Sequence, residues 1–254
     1  MSMGFIIGGF FIGLIVGIVG AILNWSPIRV FVTAAVFGLA WGALARADDS
    51  AAFAILRDTT VHISVGTGSI VQGDSGKQYI LTNSHVCNYA RWNGTLTAHY
   101  QDGTPVTGII AKDNFAIDLC AARISRQNKA LKLGPRLLPL SRVYTRGYPG
   151  HILSQSSGVV GLTEDWMLMI PIEELGKCPA GTREVLDLRD VVFACHAKFR
   201  STLSTLYGRP GSSGSPVVNS AGELVGVVSS VHTDTAYSTG MVTFQDLQKF
   251  MQGL

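Results

Sequence analysis

Hydrophobic and polar positions divide the chain into two materials laid end to end. From Gly4 to Leu23 there are 20 residues without a charge, about the number that crosses ~30 Å of hydrocarbon at 1.5 Å per residue. After Asn24-Trp25-Ser26-Pro27-Ile28-Arg29 a second apolar run, Val30 to Ala45, is shorter and closes on Arg46, Asp48 and Asp49. Two readings of residues 1–47 stay open. Small residues recur at every fourth position (Gly9, Gly13, Gly17, Ala21, and Ala34, Gly38, Gly42), which suits a hairpin of transmembrane helices. Alternatively, Arg29, the apolar run behind it and the small residues of Ala43-Leu44-Ala45 or Ala45-Arg46-Ala47 form a signal peptide. With Arg29 held inside, the hairpin has both ends outside. Either reading delivers the chain from about residue 48 across a membrane. The expected locations are the non-cytoplasmic face of a membrane, or secretion after cleavage near Ala47.

From about residue 50 the pattern changes to short β-rich runs: Val61 to Val65, Gln78 to Thr82, Val106 to Ile110, Ser157 to Gly161, Val191 to Ala194, and Glu223 to Val228. Gly, Pro, Asn and Asp turns separate them, and the spacing predicts an all-β barrel or sandwich. Only Thr243 to Met251 reads as a helix, with Phe244, Leu247, Phe250 and Met251 on one face. The expectation is a β body closed by a C-terminal helix. No repeat at a fixed period interrupts it.

Composition narrows the function. With 47% hydrophobic and 15% charged residues and a mean hydropathy of +0.30, the chain is too apolar to be disordered. A net charge of +3 is too small to be a nucleic-acid footprint. Four cysteines are too few for a disulfide scaffold, and none forms the CxxC pair of a metal or redox motif. No metal and no cofactor are expected.

Three stretches carry the candidate chemistry. Tyr79-Ile80-Leu81-Thr82-Asn83-Ser84-His85-Val86-Cys87 reads as a β-like run that ends on a histidine. Phe115-Ala116-Ile117-Asp118-Leu119-Cys120-Ala121-Ala122-Arg123-Ile124 places one acid inside an apolar strand pattern. Gly208-Arg209-Pro210-Gly211-Ser212-Ser213-Gly214-Ser215-Pro216 is a glycine-rich turn leading into a strand. A serine hydroxyl becomes a useful nucleophile only when a base takes its proton, and histidine suits that exchange near neutrality. The imidazole then needs a carboxylate on its other nitrogen, and an acid between Ile117 and Leu119 needs such a partner to be buried. His85, Asp118 and Ser213 fill these roles. The amides of Gly211 and Ser213 are the candidate donors to a tetrahedral oxyanion. Asp113, beside Lys112 and Asn114 in a turn-like setting, is the rival for the acid. His62, His99, His151, His196 and His232 match no motif and receive no role.

GSSGSP at 211–216 resembles the serine motif of the chymotrypsin-like (trypsin-like) serine endopeptidases; LTNSHVC and IDLCAARI resemble their histidine and aspartate motifs. The similarity covers about residues 53–250. It implies two antiparallel six-stranded β-barrels and a C-terminal helix. The first barrel, about 53–135, would supply His85 and Asp118; the second, about 140–242, would supply Ser213. The short interval from His85 to Asp118 implies a compact first barrel. Ser212 stands where many members carry an Asp that pairs with a newly cut N-terminus, so no such activation is expected.

In the family the primary pocket is walled by the segment before the serine, by the strand through Val228, Ser229 and Ser230, and by the stretch around Gly240. Tyr207 occupies the position where a trypsin-like preference for Arg or Lys requires Asp. An uncharged, small or hydrophobic residue is therefore expected at the cleavage site. The cysteines allow three pairings; Cys87 with Cys120, and Cys178 with Cys195, are the expected ones. The Asn93-Gly94-Thr95 sequon matters only in a eukaryotic host. The expected partner is a protein or peptide substrate, with membrane contact through residues 4–45 and no nucleic acid. Two other readings remain. Arg209-Pro210-Gly211-Ser212-Ser213-Gly214 behind membrane segments also resembles polyprotein-processing proteases of positive-strand RNA viruses. A protease-shaped binding module without activity is the reading from another class.

Overall fold

Period-two burial is visible along β4 (Thr95–His99), where Leu96 and Ala98 point inward between exposed Thr97 and His99. The same rule builds a six-stranded antiparallel barrel from β1 (Thr60–Ile63), β2 (Gly66–Gln72), β3 (Gln78–Thr82), β4, β5 (Pro105–Asn114) and β6 (Leu119–Ile124). It closes in the order β1-β2-β3-β6-β5-β4. Val61, Ile63, Ile70, Ile80, Leu96 and Ala122 fill its interior. The seams differ in strength. β3 and β6 are in register at five positions, whereas β1 meets β4 at the single pair His62 and His99.

The computed structural model describes residues 49–125, 127, 129–171, 178, 183–187, 192–231 and 239–254. The chain divides into two compact units, residues 1–50 and 51–254. The apolar runs at 4–23 and 30–45 therefore lie outside the described residues, as does His232. Among the described residues no helix is long and apolar enough to cross a membrane.

A second antiparallel barrel follows from β7 (Arg142–Gly147), β8 (Ser154–Pro171), β10 (Val192–Ser204), β11 (Pro216–Val218), β12 (Leu224–Val231) and β13 (Thr239–Val242). Its sheet order is β13-β12-β11-β7-β8-β10, with β9 (Arg183–Asp187) added outside β10. Pairing of β10 with β13 closes six strands into a ring. Val143, Val160, Leu206, Val217, Val225 and Met241 make its core.

Among the described residues three helices accompany the barrels, of which the sequence reading anticipated one. In α3 (Phe244–Met251) the predicted face is buried through Leu247, Phe250 and Met251, and the Thr243 hydroxyl caps the Asp246 amide at 3.2 Å. The helix α1 (49–59 among the described residues) was missed, although Ala52, Leu56 and Thr59 are buried at i, i+4 and i+7. The third, α2 (Ser84–Ala90), corrects the β-like reading of the histidine stretch: strand β3 ends at Thr82, and His85 stands on a helix. Side chains of α1 and α3 join Leu81 and Leu119 of the first barrel and Tyr144, Val218 and Leu224 of the second in one shared core. The barrels are thus packed together through a common apolar layer, which fixes the side chains at their junction.

Candidate active site

His85 lies in the first turn of α2, whose Val86 and Cys87 turn into the barrel and are buried. The disulfide between Cys87 and Cys120 ties this helix to β6. Of the other predicted pair, Cys178 is disulfide-bonded, and the side chain of Cys195 lies outside those described.

Asp118 is not inside a strand, as the sequence pattern suggested. A 3₁₀ turn at Phe115–Ile117 intervenes, opened by Asn114 Oδ1 accepting from the Ala116 amide at 3.1 Å. Asp118 closes it in the left-handed region, φ 53°, donating its amide to Phe115 O at 3.1 Å. That backbone reversal turns the carboxylate toward α2. Both its oxygens lie 3.0 Å from His85 Nδ1, and Oδ1 also accepts from the His85 amide at 3.1 Å. Asp118 is only 1% exposed, and its main-chain oxygen accepts from Asn83 Nδ2 at 2.9 Å. Hydrogen-bond donors thus meet the carboxylate where water cannot, which offsets the cost of burying it. With Nδ1–H directed at Asp118, the acceptor atom of the ring is Nε2.

Asp113, the rival acid, is at the end of β5 and not in a turn. It accepts a short hydrogen bond from Ser84 Oγ and faces Arg91 Nη1 at 3.5 Å. Burial pushes its carboxyl upward from the ordinary range, and the neighbouring Asp118 charge adds to this, while Ser84 and Arg91 oppose it. The structure brings Asp118, and not Asp113, to the His85 ring.

The turn 208–215 is held almost atom by atom. Arg209 and Ser212 bond twice, Ser212 N to Arg209 O at 2.8 Å and Arg209 N to Ser212 Oγ at 3.1 Å. Pro210 O accepts from Gly150 N at 2.8 Å, and Ser212 O from Ser215 N at 2.9 Å. In a trans peptide the N–H points opposite to the C=O. Anchoring Pro210 O therefore turns the Gly211 amide away from Gly150, and anchoring Ser212 O turns out the Ser213 amide. Among the described residues neither amide has an acceptor in the protein. The turn needs glycine at Gly211, φ 94°, where a Cβ would lie 2.6 Å from Tyr148 O. Ser213 itself is half-buried. It reaches the first barrel through its carbonyl, which accepts from Thr67 N at 2.8 Å. Gly66 fills the gap between that carbonyl and α2: a Cβ there would meet Val86 Cγ2 at 2.9 Å and Ser213 O at 3.0 Å.

Of the expected pocket residues, Tyr207 and Val228 line a crevice beside the turn, together with Gly147, Ser156, Ser212 and Ser215. Its free volume is about 10 Å³, room for a single water. The Ser215 hydroxyl is buried there without a hydrogen-bond partner in the protein among the described residues. Ser229, Ser230 and Gly240 do not line this crevice. Ser229 Oγ donates to Gly240 O at 3.3 Å. The space over Gly240 is taken by hydroxyls, a Cβ there falling 2.3 Å from Ser230 Oγ and 2.5 Å from Ser201 Oγ. A concavity of about 730 Å³ lies elsewhere, on a charged surface that includes Arg57, Asp58, Asp102 and Lys129. No group of three or more His, Cys, Asp or Glu among the described residues has metal-binding geometry.

The fold recurs in known proteins. No curated protein sequence matches the chain at a significant level. The fold is shared with the Rv3671c protease from M. tuberculosis in its active form, at 18% identity and a TM-score of 0.57, over 78% of this chain and 82% of that one. It is shared also with the HtrA-type protease AlgW bound to a tripeptide, at 17% identity and a TM-score of 0.57, over 80% and 62%. A serine endoprotease from Yersinia pestis superposes at 17% identity and a TM-score of 0.56, over 80% and 65%. The family model of the trypsin-like peptidase domain matches residues 66–227. That match spans all three stretches in which the sequence concentrates its chemistry, and the chain belongs to the trypsin-like peptidase family.

Proposed function

We propose that the chain is a serine endopeptidase, anchored in a membrane or exported, with Ser213 as nucleophile, His85 as general base and Asp118 as the residue that orients it. The observation that carries this reading is the double contact of the Asp118 carboxylate with His85 Nδ1, at 3.0 Å to each oxygen. It leaves Nε2 as the proton acceptor on the ring.

In the first half-reaction Ser213 Oγ bonds to the carbonyl carbon of the scissile peptide as its proton passes to His85 Nε2. The carbonyl oxygen becomes an oxyanion facing the amides of Gly211 and Ser213. Collapse breaks the C–N bond, and the leaving amine takes the proton from His85. In the second half-reaction water adds to the acyl carbon, giving its proton to His85. The ester bond to Ser213 Oγ then breaks and the serine regains that proton. Asp118 holds the ring through Nδ1 and stabilises the imidazolium. No cofactor enters.

The cleavage-site preference is for a small, uncharged residue. The neutral lining of the crevice at Tyr207, Ser212 and Val228 and its small volume support this. The Cys87–Cys120 disulfide supports an oxidising compartment, as expected for a chain delivered across a membrane.

The test is fluorophosphonate labelling of the full-length protein in detergent, compared with Ser213→Ala and Asp118→Asn, with the modified peptide located by mass spectrometry. Label on Ser213, absent in the first variant and much reduced in the second, is the expected result. A folded, unlabelled wild type would identify a binding module on a protease fold.

A further inference from the structure

Four successive carbonyls of the nucleophile turn, Pro210 to Ser213, accept hydrogen bonds. Two of the four donors come from one residue of the other barrel. Thr67, on β2, gives its amide to Ser213 O at 2.8 Å and its hydroxyl to Gly211 O at 2.9 Å. The same hydroxyl accepts from Tyr148 N at 2.9 Å, and the Thr67 carbonyl accepts from Thr82 Oγ1 at 2.7 Å. Thr67 is fully buried, so water does not replace these partners.

The Tyr148 contact extends the reach of this residue. Tyr148 leads directly into the 3₁₀ turn Pro149–His151, whose Gly150 amide grips Pro210 O and so aims the Gly211 amide. One side chain thus holds the Gly211–Ser212 peptide directly and the Pro210–Gly211 peptide through the loop beside it. The backbone packs closely around Thr67. A Cβ on Gly214 would lie 1.9 Å from Thr67 O, and one on Gly147 would lie 3.1 Å from Thr67 Oγ1.

We propose that Thr67 is a positioning residue for the oxyanion site: from the first barrel it holds the turn of the second in the conformation that presents the Gly211 and Ser213 amides to substrate. The proposal rests on the serine-endopeptidase reading for its kinetic consequence, but its structural content does not. Oxyanion donors act by being preorganised, and their removal costs about 10²–10³ in kcat. Loosening them without removing them costs less.

The experiment compares Thr67→Val, which keeps the shape and loses the hydroxyl, with Thr67→Ser, which restores it. Full-length protein in detergent is assayed on a peptide substrate and by fluorophosphonate labelling, and amide hydrogen exchange is followed in the peptide covering 208–214. The expected result for the valine variant is a kcat lower by about 10- to 100-fold, KM within about twofold, and exchange across 208–214 faster by about tenfold. The serine variant stays within about threefold of wild type on every readout. A valine variant with wild-type kcat and wild-type exchange overturns the proposal, as does a serine variant as impaired as the valine one. If the valine variant does not fold, Thr67→Ala against Thr67→Ser carries the same comparison. A wild type that never labels, together with faster exchange in the valine variant, retires the endopeptidase reading and leaves Thr67 as the residue that holds the turn.

Discussion

Loss of the Cys87–Cys120 bridge is expected to lower stability by an amount that follows from the chain it encloses. The bonded residues are separated by 33 positions. For a loop of that length the chain-entropy relation gives about 3.7 kcal/mol at 25 °C. Both cysteines are fully buried, so replacing them with alanine also leaves small voids, worth about 1 kcal/mol together. In a unit of this size each kcal/mol moves the melting temperature by about 2–4 °C. The Cys87→Ala/Cys120→Ala protein should therefore melt about 9–19 °C below wild type, and reduced wild type, which also loses the bridge at Cys178, at least about 7–15 °C below oxidised wild type. The assay is thermal unfolding in detergent followed by near-ultraviolet circular dichroism, with and without a phosphine reductant. Melting of both samples within about 3 °C of oxidised wild type would refute the reasoning, because the bridge would then not be constraining the unfolded chain. The loss should also reach the site, since the bridged residues each follow a site residue by two positions, His85 and Asp118.

Asp118→Asn should reduce kcat/KM by about 10³–10⁴-fold with little change in stability, since asparagine tolerates the left-handed backbone but no longer selects the right tautomer; steady-state kinetics at neutral pH check this. Gly214→Ala should destabilise the protein by about 2–4 kcal/mol, read in a denaturant melt, because its Cβ would lie 1.9 Å from Thr67 O and 2.2 Å from Thr82 Oγ1 at φ 84°. Lys112→Met should cost about 1–2 kcal/mol in the same melt, for the ammonium bonds Phe250 O at 2.6 Å at the end of α3 and lies 4.6 Å from the centre of the Phe250 ring. Burial, and then the charges of His151 and His99, push the His62 imidazolium below its ordinary value of 6.5. The folded state then binds its proton more weakly than the unfolded chain, so stability is lost as pH falls from 6.5 through the lowered value, and none of this loss is present above 6.5. Melting temperatures of wild type and His62→Asn between pH 7.5 and 5 should diverge only in that lower window; parallel curves would contradict it.

Strands and the closing helix were legible in the sequence because each is a local pattern. The run Gln78 to Thr82 coincides with β3, and Leu247, Phe250 and Met251 are the buried face of α3. The histidine and aspartate stretches were misread locally for one reason. Apolar neighbours continue through both, at Val86-Cys87 and at Phe115 to Leu119, so hydrophobicity alone extends the strand. What stops it is polar chemistry. Asn83 sits in extended backbone ahead of α2, and Asn114 accepts from Ala116 N to start a 3₁₀ turn. Both are turn residues with a known mechanism. The pocket was less legible still. The crowding of hydroxyls over Gly240 by Ser201 and Ser230 depends on β10, β12 and β13 meeting, which no single segment encodes. Thr67 carried no signal at all in its own stretch, because its partners are Tyr148, Gly211 and Ser213, residues far along the chain.

The single-pair seam between β1 and β4 gives the first barrel a preferred place to breathe. Opening it costs one registered pair, His62 with His99, whereas opening β3 from β6 costs five. Local excursions follow the smallest loss of pairing, so transient access of solvent to the barrel interior should begin there. The seam is also where the barrel touches the loop behind the nucleophile turn: His62 Nε2 lies 3.2 Å from His151 Nδ1, and its ring packs on Tyr148 at 4.8 Å. Fluctuation of the barrel wall and looseness of the nucleophile turn are thereby mechanically linked, and a change that stiffens the β1–β4 seam should be felt at Ser213 without touching it.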